Sequence, residues 1–140
     1  MSDVATQTPS PGSCPPARKF GPITRTEIVR YQGASGDFHP AHHDDDYARR
    51  HGYPGVFSLG MLCAGYMATF ATDWLGPSNV RKFRVRFLDV TWPDDLLTCS
   101  ARLVRTYREM DENRADLEIE CRQQTDSLIA RAYATFRVDP

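Results

Sequence analysis

The segment from Ser58 to Leu75 limits the fold more than any other part of this chain. It carries no charge before Asp73, and Pro54-Gly55 in front and Gly76-Pro77 behind mark it off as one long helix. A helix that is apolar all round has to be enclosed by the rest of the protein. Gly60, Ala64 and Ala68 recur at four-residue spacing, which leaves one side nearly bare and lets another backbone come close. Leu62, Tyr66, Phe70 and Trp74 supply bulk around the remainder.

The sequence after Gly76 is of the kind that could enclose it. There the hydrophobic period changes from helical to alternating: Phe83, Val85 and Phe87 face one way while Lys82, Arg84 and Arg86 face the other. Leu97, Cys99, Ala101 and Leu103 repeat the pattern, as do Ala115, Leu117, Ile119 and Cys121, and then Ala130, Ala132, Ala134, Phe136 and Val138. Breaks at Asp94-Asp95, Asp111-Glu112-Asn113 and Thr125-Asp126-Ser127 divide the run into a four-strand meander with one apolar face. One apolar helix and one half-apolar sheet have an economical solution, an α+β domain in which an antiparallel sheet wraps around one long buried helix. At 140 residues the chain reads as a single domain, large enough to bury roughly 70% of its unfolded surface without a disulfide or structural metal.

Ahead of the helix lie three shorter pieces. Residues 1–19 read as a disordered Pro-rich tail, since their few apolar side chains cannot offset the entropy of ordering, and the domain proper spans 20–140. Thr24 followed by Glu27 is a capping box that opens a short helix. Asp44-Asp45-Asp46 before Tyr47-Ala48-Arg49-Arg50-His51 places negative charge at the start and positive charge at the end of a second, with Gly52 ending it.

Between those helices runs Ser35-Gly-Asp-Phe-His-Pro-Ala-His-His-Asp44, which concentrates acid, base and turn residues. Pro40 removes a backbone donor and drives His39 towards extended geometry, so Asp37 and His42 share a tight loop. A carboxylate near an imidazole can hold a water and take its proton. The same Asp37 is also ordinary turn chemistry, and the two readings stand side by side at this point. His39, His42, His43, His51 and the acidic run invite a metal reading too, but their spacing matches no recognised ligand frame.

Charge narrows the partners. Seventeen basic and eighteen acidic residues give a net charge of −1 with no basic block, which argues against nucleic acid and for a small or neutral partner. Val56 to Thr72, the longest uncharged run, is too polar to insert in a membrane. Cys14, Cys63, Cys99 and Cys121 are widely spaced and read as reduced thiols of a cytoplasmic protein, with Cys63 a packing residue. Arg84 and Arg86 could meet substrate phosphates or simply line a solvated face.

The loop and the helix start together resemble the MaoC-like, or (R)-specific enoyl-CoA hydratase, family of hot dog fold proteins, which includes mycobacterial acyl dehydratase subunits. The family signature runs G-D-x-N-P-x-H, with an H-G-M downstream at the start of the long helix. Here the first element reads Gly36-Asp37-Phe38-His39-Pro40-Ala41-His42 and the second Ser58-Leu59-Gly60-Met61, so His39 replaces the Asn and Leu59 the His. The resemblance implies a hot dog fold and hydration or dehydration of a 2-enoyl thioester. In that chemistry Asp37 and His42 are catalytic, the Gly60 amide binds the thioester oxygen, and His39 and Ser58 support. It implies no cofactor and no metal. Its substrate would be an acyl-CoA or acyl carrier protein thioester, and its assembly a homodimer or a heterodimer with another hot dog chain. Two other readings stay open: a hot dog thioesterase, which the Asp37 to His42 spacing disfavours, and a non-catalytic partner subunit.

Overall fold

The computed structural model describes residues 9–10 and 13–139, so most of the segment assigned to the tail, 1–8 with 11 and 12, lies outside the described residues. The elements in chain order are β1 (Arg18–Phe20), α1 (Arg25–Ser35), α2 (Asp45–Arg50), α3 (Gly60–Leu75), β2 (Val80–Phe87), β3 (Leu97–Glu109), β4 (Glu112–Gln123) and β5 (Leu128–Val138). The class is α+β, as the change of period predicts.

The strands form one antiparallel sheet in the order β1-β3-β4-β5-β2, which differs from the expected meander in two ways. β1 adds a fifth strand, pairing Arg18 with Cys99 and Phe20 with Leu97, and it begins inside the segment read as tail. β2 also leaves its sequence neighbour and pairs with β5 at the far edge. The cause is the connection 88–96, which does not close as a hairpin but crosses the end of the sheet. Leu88 and Asp89 both donate to Ile129 O, and Asp94 N donates to Ile23 O at 2.7 Å. Buried Asp95 fixes the crossing: its carboxylate accepts from Trp92 N and from Gln124 Nε2, and its carbonyl accepts from Ile23 N at 2.9 Å. Gly21, at φ +108°, lets the chain pass this point, because a Cβ there would lie 2.8 Å from Asp95 O.

Alternation places the apolar residues in register. Cys99, Cys121, Ala130 and Phe87 form one cross-strand row, Ala101, Ile119, Ala132 and Val85 the next, and Leu103, Leu117, Ala134 and Phe83 a third. The three alanines of β5 leave room for α3 to lie close. Cys63, Met67, Phe70, Ala71 and Leu75 of α3 fill the concave face with Leu117, Ile119 and Phe136. Full burial of one such side chain stabilises by about 1.5–3 kcal/mol. The opposite face of the sheet is a charged ladder in which Arg102 pairs with Glu118, Arg131 with Glu118 and Glu120, and Arg105 with Asp116.

α3 starts two residues later than its expected Ser58, at Gly60. It is not enclosed on every side: Met61, Gly65, Thr69 and Asp73 lie on a face open to solvent in the single chain. Among the described residues no helix is long and apolar enough to cross a membrane.

Candidate active site

The loop after α1 is built from hydrogen bonds made by its own side chains and by one residue behind it. Gly36, at φ +77°, caps α1 in the left-handed conformation and donates its N–H to Gln32 O at 2.9 Å. Asp37 Oδ1 then accepts from His39 N at 3.2 Å, an Asx turn that folds the chain back. His39 caps a 3-10 turn over Pro40–His42, its Nδ1 accepting from Ala41 N at 3.2 Å. That bond requires the His39 proton to sit on Nε2. An Asn here would offer a side-chain oxygen for the same bond, so His39 performs the turn-capping task of the residue it replaces.

His42 is fixed from the other side. Its Nδ1 lies 2.7 Å from Phe57 O, and a carbonyl can only accept, so Nδ1 carries the proton and the neutral ring presents an unprotonated Nε2. The Phe57 ring stands edge-on to it at 4.9 Å, and Phe57 N donates back to Ala41 O at 3.3 Å. The loop and the entry to α3 are therefore tied in both directions. Ser58, the next residue, is buried, and its N–H donates to Thr91 O of the crossing segment at 2.7 Å.

Gly60 is the first residue of α3, and its N-cap, Leu59, supplies no side-chain hydrogen bond to the helix start. Leu62 N donates to Leu59 O at 3.1 Å, while the Gly60 and Met61 amides precede the first intrahelical bonds at the positive end of a 16-residue helix. A Cβ on Gly60 would fall 3.2 Å from the Phe87 ring, so the close approach made possible by this glycine is taken up by β2.

Asp37 and His42 make no hydrogen bond to each other. His39 stands between them, with its N–H on Asp37 and its ring centre 5.9 Å from that of His42. Asp37 and His39 are exposed and His42 half-buried. His43, though exposed, places its Nδ1 3.1 Å from Gln32 Oε1, and His51 stacks on Tyr47 at 4.1 Å. The Nδ1 atoms of the four histidines thus bond to four different residues, Ala41, Phe57, Gln32 and Tyr47. Among the described residues no group of three or more His, Cys, Asp or Glu is placed to hold a metal ion.

Sequence reading missed Gln32, Phe57 and Phe87. Gln32 lies in a polar helix and gives no signal by type, yet it is one of two buried residues of α1. Asp45 is a further tie, bonded to Arg25 at 2.9 and 3.2 Å and to Val56 N at 3.0 Å. The Arg25 guanidinium and the Val56 N–H hold its carboxyl below the usual carboxylate range. Arg84 leans over the Tyr133 ring at 5.3 Å on the face of β2 opposite to Phe83, Val85 and Phe87. Cys63 packs in the core, and its contact with Cys121 together with burial pushes the thiol up, which leaves it inert.

A family model for the MaoC like domain matches residues 6–123. The chain belongs to the MaoC-like domain family. Among curated proteins, the 3-oxo-4,17-pregnadiene-20-carboxyl-CoA hydratase beta subunit of Mycobacterium tuberculosis is 36% identical over 67 residues, covering 48% of this chain and 52% of that protein. The match thus spans about half the length of that relative. Among solved structures, the ChsH1-ChsH2 complex from Mycobacterium tuberculosis superposes with a TM-score of 0.81 at 22% identity, covering 94% of this chain and all of the matched one. The (R)-hydratase from A. caviae involved in PHA biosynthesis gives 0.82 at 18% identity, over 95% and 99%. Both superpose over nearly the whole chain, and the fold is the hot dog fold.

Proposed function

We propose that this MaoC-like chain adds water reversibly across the double bond of a 2-enoyl thioester, giving a 3-hydroxyacyl thioester of (R) configuration. One observation carries the reading: the Phe57 carbonyl holds His42 Nδ1–H at 2.7 Å, which leaves Nε2 as a hydrogen-bond acceptor on the same short loop as Asp37. Water held between the two groups loses a proton to Asp37 while His42 Nε2 accepts its other hydrogen bond and orients it. The hydroxyl oxygen bonds to C3, the C2–C3 π electrons move onto the thioester carbonyl, and the Gly60 amide, backed by the α3 dipole, stabilises the oxygen that becomes negative. Collapse of the enolate takes the proton back from Asp37 at C2. No group beyond this chain's own is needed for these steps. Either an acyl-CoA or an acyl carrier protein thioester meets the chemistry. The family membership and the hydratase named among its relatives support the reaction class.

A second reading is favoured by the open faces of the single chain. β2 is an edge strand, and Met61, Gly65 and Thr69 of α3 are exposed beside it, so a second hot dog chain has an edge and an apolar face to cover. In that arrangement the chain works as one half of a heteromeric dehydratase, and two of its structural neighbours, ChsH1-ChsH2 and HadBC, are described as complexes. The test is crotonyl-CoA hydration followed by chiral analysis of the product. Activity of the purified chain alone supports the first reading. Activity that appears only on mixing with a sister chain supports the second, and absence of hydration in both preparations contradicts the reaction class.

A further inference from the structure

The strongest unassigned feature is a buried amide beneath the loop. Gln32 is 2% exposed, on a helix whose only other buried residue is Ile28. Its Nε2 lies 3.0 Å from Asp37 O and 3.2 Å from His39 O. Both partners are carbonyls, so only the NH2 end of the amide can face them, and the amide cannot be turned over. Its Oε1 is thereby directed to His43 Nδ1, at 3.1 Å, and that nitrogen must carry the proton. Gln32 O meanwhile accepts the Gly36 N–H. One residue therefore contacts positions 36, 37, 39 and 43, on both sides of His42.

The other bonds of the loop are local or reach the α3 entry: His39 N to Asp37 Oδ1, Ala41 N to His39 Nδ1, and the two ties to Phe57; of the side chains of α1 only Gln32 reaches both Asp37 and His43. Pro40 donates nothing, and the 3-10 turn contributes only His42 N to His39 O and the His43 and Asp44 amides to Pro40 O. His39 O receives both His42 N and Gln32 Nε2, which occupies both of its lone pairs. Without the amide, Asp37 O loses a buried donor, and Asp37 is left with only the local bonds of its N–H to Ser35 Oγ and of its carboxylate to His39 N.

We propose that Gln32 is a positioning residue for the site: through the Asp37 and His39 carbonyls and the His43 ring it sets the spacing of the Asp37 carboxylate and the His42 imidazole. The proposal rests on the hydration reading, so its test has a readout that does not depend on it. Gln32→Glu keeps size and shape but sets an oxygen against two carbonyl oxygens, while Gln32→Met keeps volume and removes all three side-chain bonds without burying a charge.

The first measurement is the 15N spectrum of the His43 imidazole in the full chain. The wild type is expected in the Nδ1–H form and Gln32→Met in a mixture of tautomers; the same spectrum in both proteins would overturn the clamp whatever the reaction is. The second is crotonyl-CoA hydration with Asp37→Asn run beside it. Misplacing reacting groups by about 1 Å costs on the order of 10²-fold, so both Gln32 variants are expected to lose kcat on that scale with KM little changed. If Gln32→Met melts lower but its folded molecules keep wild-type kcat while Asp37→Asn is inactive, Gln32 only stabilises the fold and the positioning role is wrong. If Asp37→Asn hydrates at the wild-type rate, the hydration reading fails and the tautomer result alone decides whether the clamp stands.

Discussion

The sheet and the loop are ordered in opposite ways. In the sheet each strand repeats one instruction, apolar in and polar out, and the residues of the inner strands β3, β4 and β5 are held by neighbours on both sides. In the loop from Gly36 to Asp44 no pattern repeats, and a single amide from α1 meets both ends. Order spread over equivalent contacts is redundant, so damage there lowers stability and leaves geometry intact. Order that rests on a few individual bonds, from Gln32, from Phe57 and from the loop's own side chains, is specific, so damage there is expected to change geometry first. The crossing segment 88–96 is intermediate: irregular like the loop, but tied at several points through Asp95.

The contrast can be broken at the sheet first. Ile119→Ala, fully buried in the middle row, is expected to cost about 2–5 kcal/mol by denaturant melts with activity per folded molecule unchanged. A fall in kcat of the folded fraction would show that sheet packing also sets the site. Asp95→Ala should cost somewhat less, about 1–3 kcal/mol, because it leaves Trp92 N and Gln124 Nε2 without their acceptor. Equal stability of wild type and variant in chemical melts would remove the crossing segment from the list of ordered ties.

The smallest effect concerns Asp45, whose folded carboxyl titrates below its unfolded value. A depressed acid contributes stability above its unfolded pKa and loses it as pH falls through the folded one, so the wild-type advantage over Asp45→Asn should be present at neutral pH and shrink towards acid. Melts of the two proteins that stay parallel down to the acid limit would rule out the Arg25 tie as its cause.

Much of this is legible in the sequence. The phases of β2 to β5 follow alternation apart from register shifts between Val80 and Lys82, Leu103 and Arg105, and Cys121 and Arg122, and the Thr24–Glu27 capping box forms as written, with Glu27 N on Thr24 Oγ1 at 3.1 Å and Thr24 N on Glu27 Oε2 at 2.8 Å. Asp44 caps α2 at Tyr47 N. What alternation cannot carry is pairing between distant strands, so the position of β2 beside β5 was hidden. β1 was hidden because three residues after a Pro-Pro pair are too short to show a period. The helix read as apolar on all sides has an open face because composition does not say which sides the chain's own sheet reaches. In the loop, residue types pointed to Asp37 and His42, but Gln32 acts through its surroundings and not its type. The His42 tautomer likewise depends on a carbonyl 15 residues away.

The central claim is that Asp37 and His42 carry the hydration while the sheet only holds them. Steady-state crotonyl-CoA hydration by Asp37→Asn and His42→Ala, in whichever assembly of the wild-type chain is active, tests it most directly when thermal melts are taken on the same preparations. Loss of a general acid or base costs about 10²- to 10⁴-fold, so each variant should lose kcat in that range while melting with the wild type. A kcat within about threefold of wild type for either variant would contradict the claim.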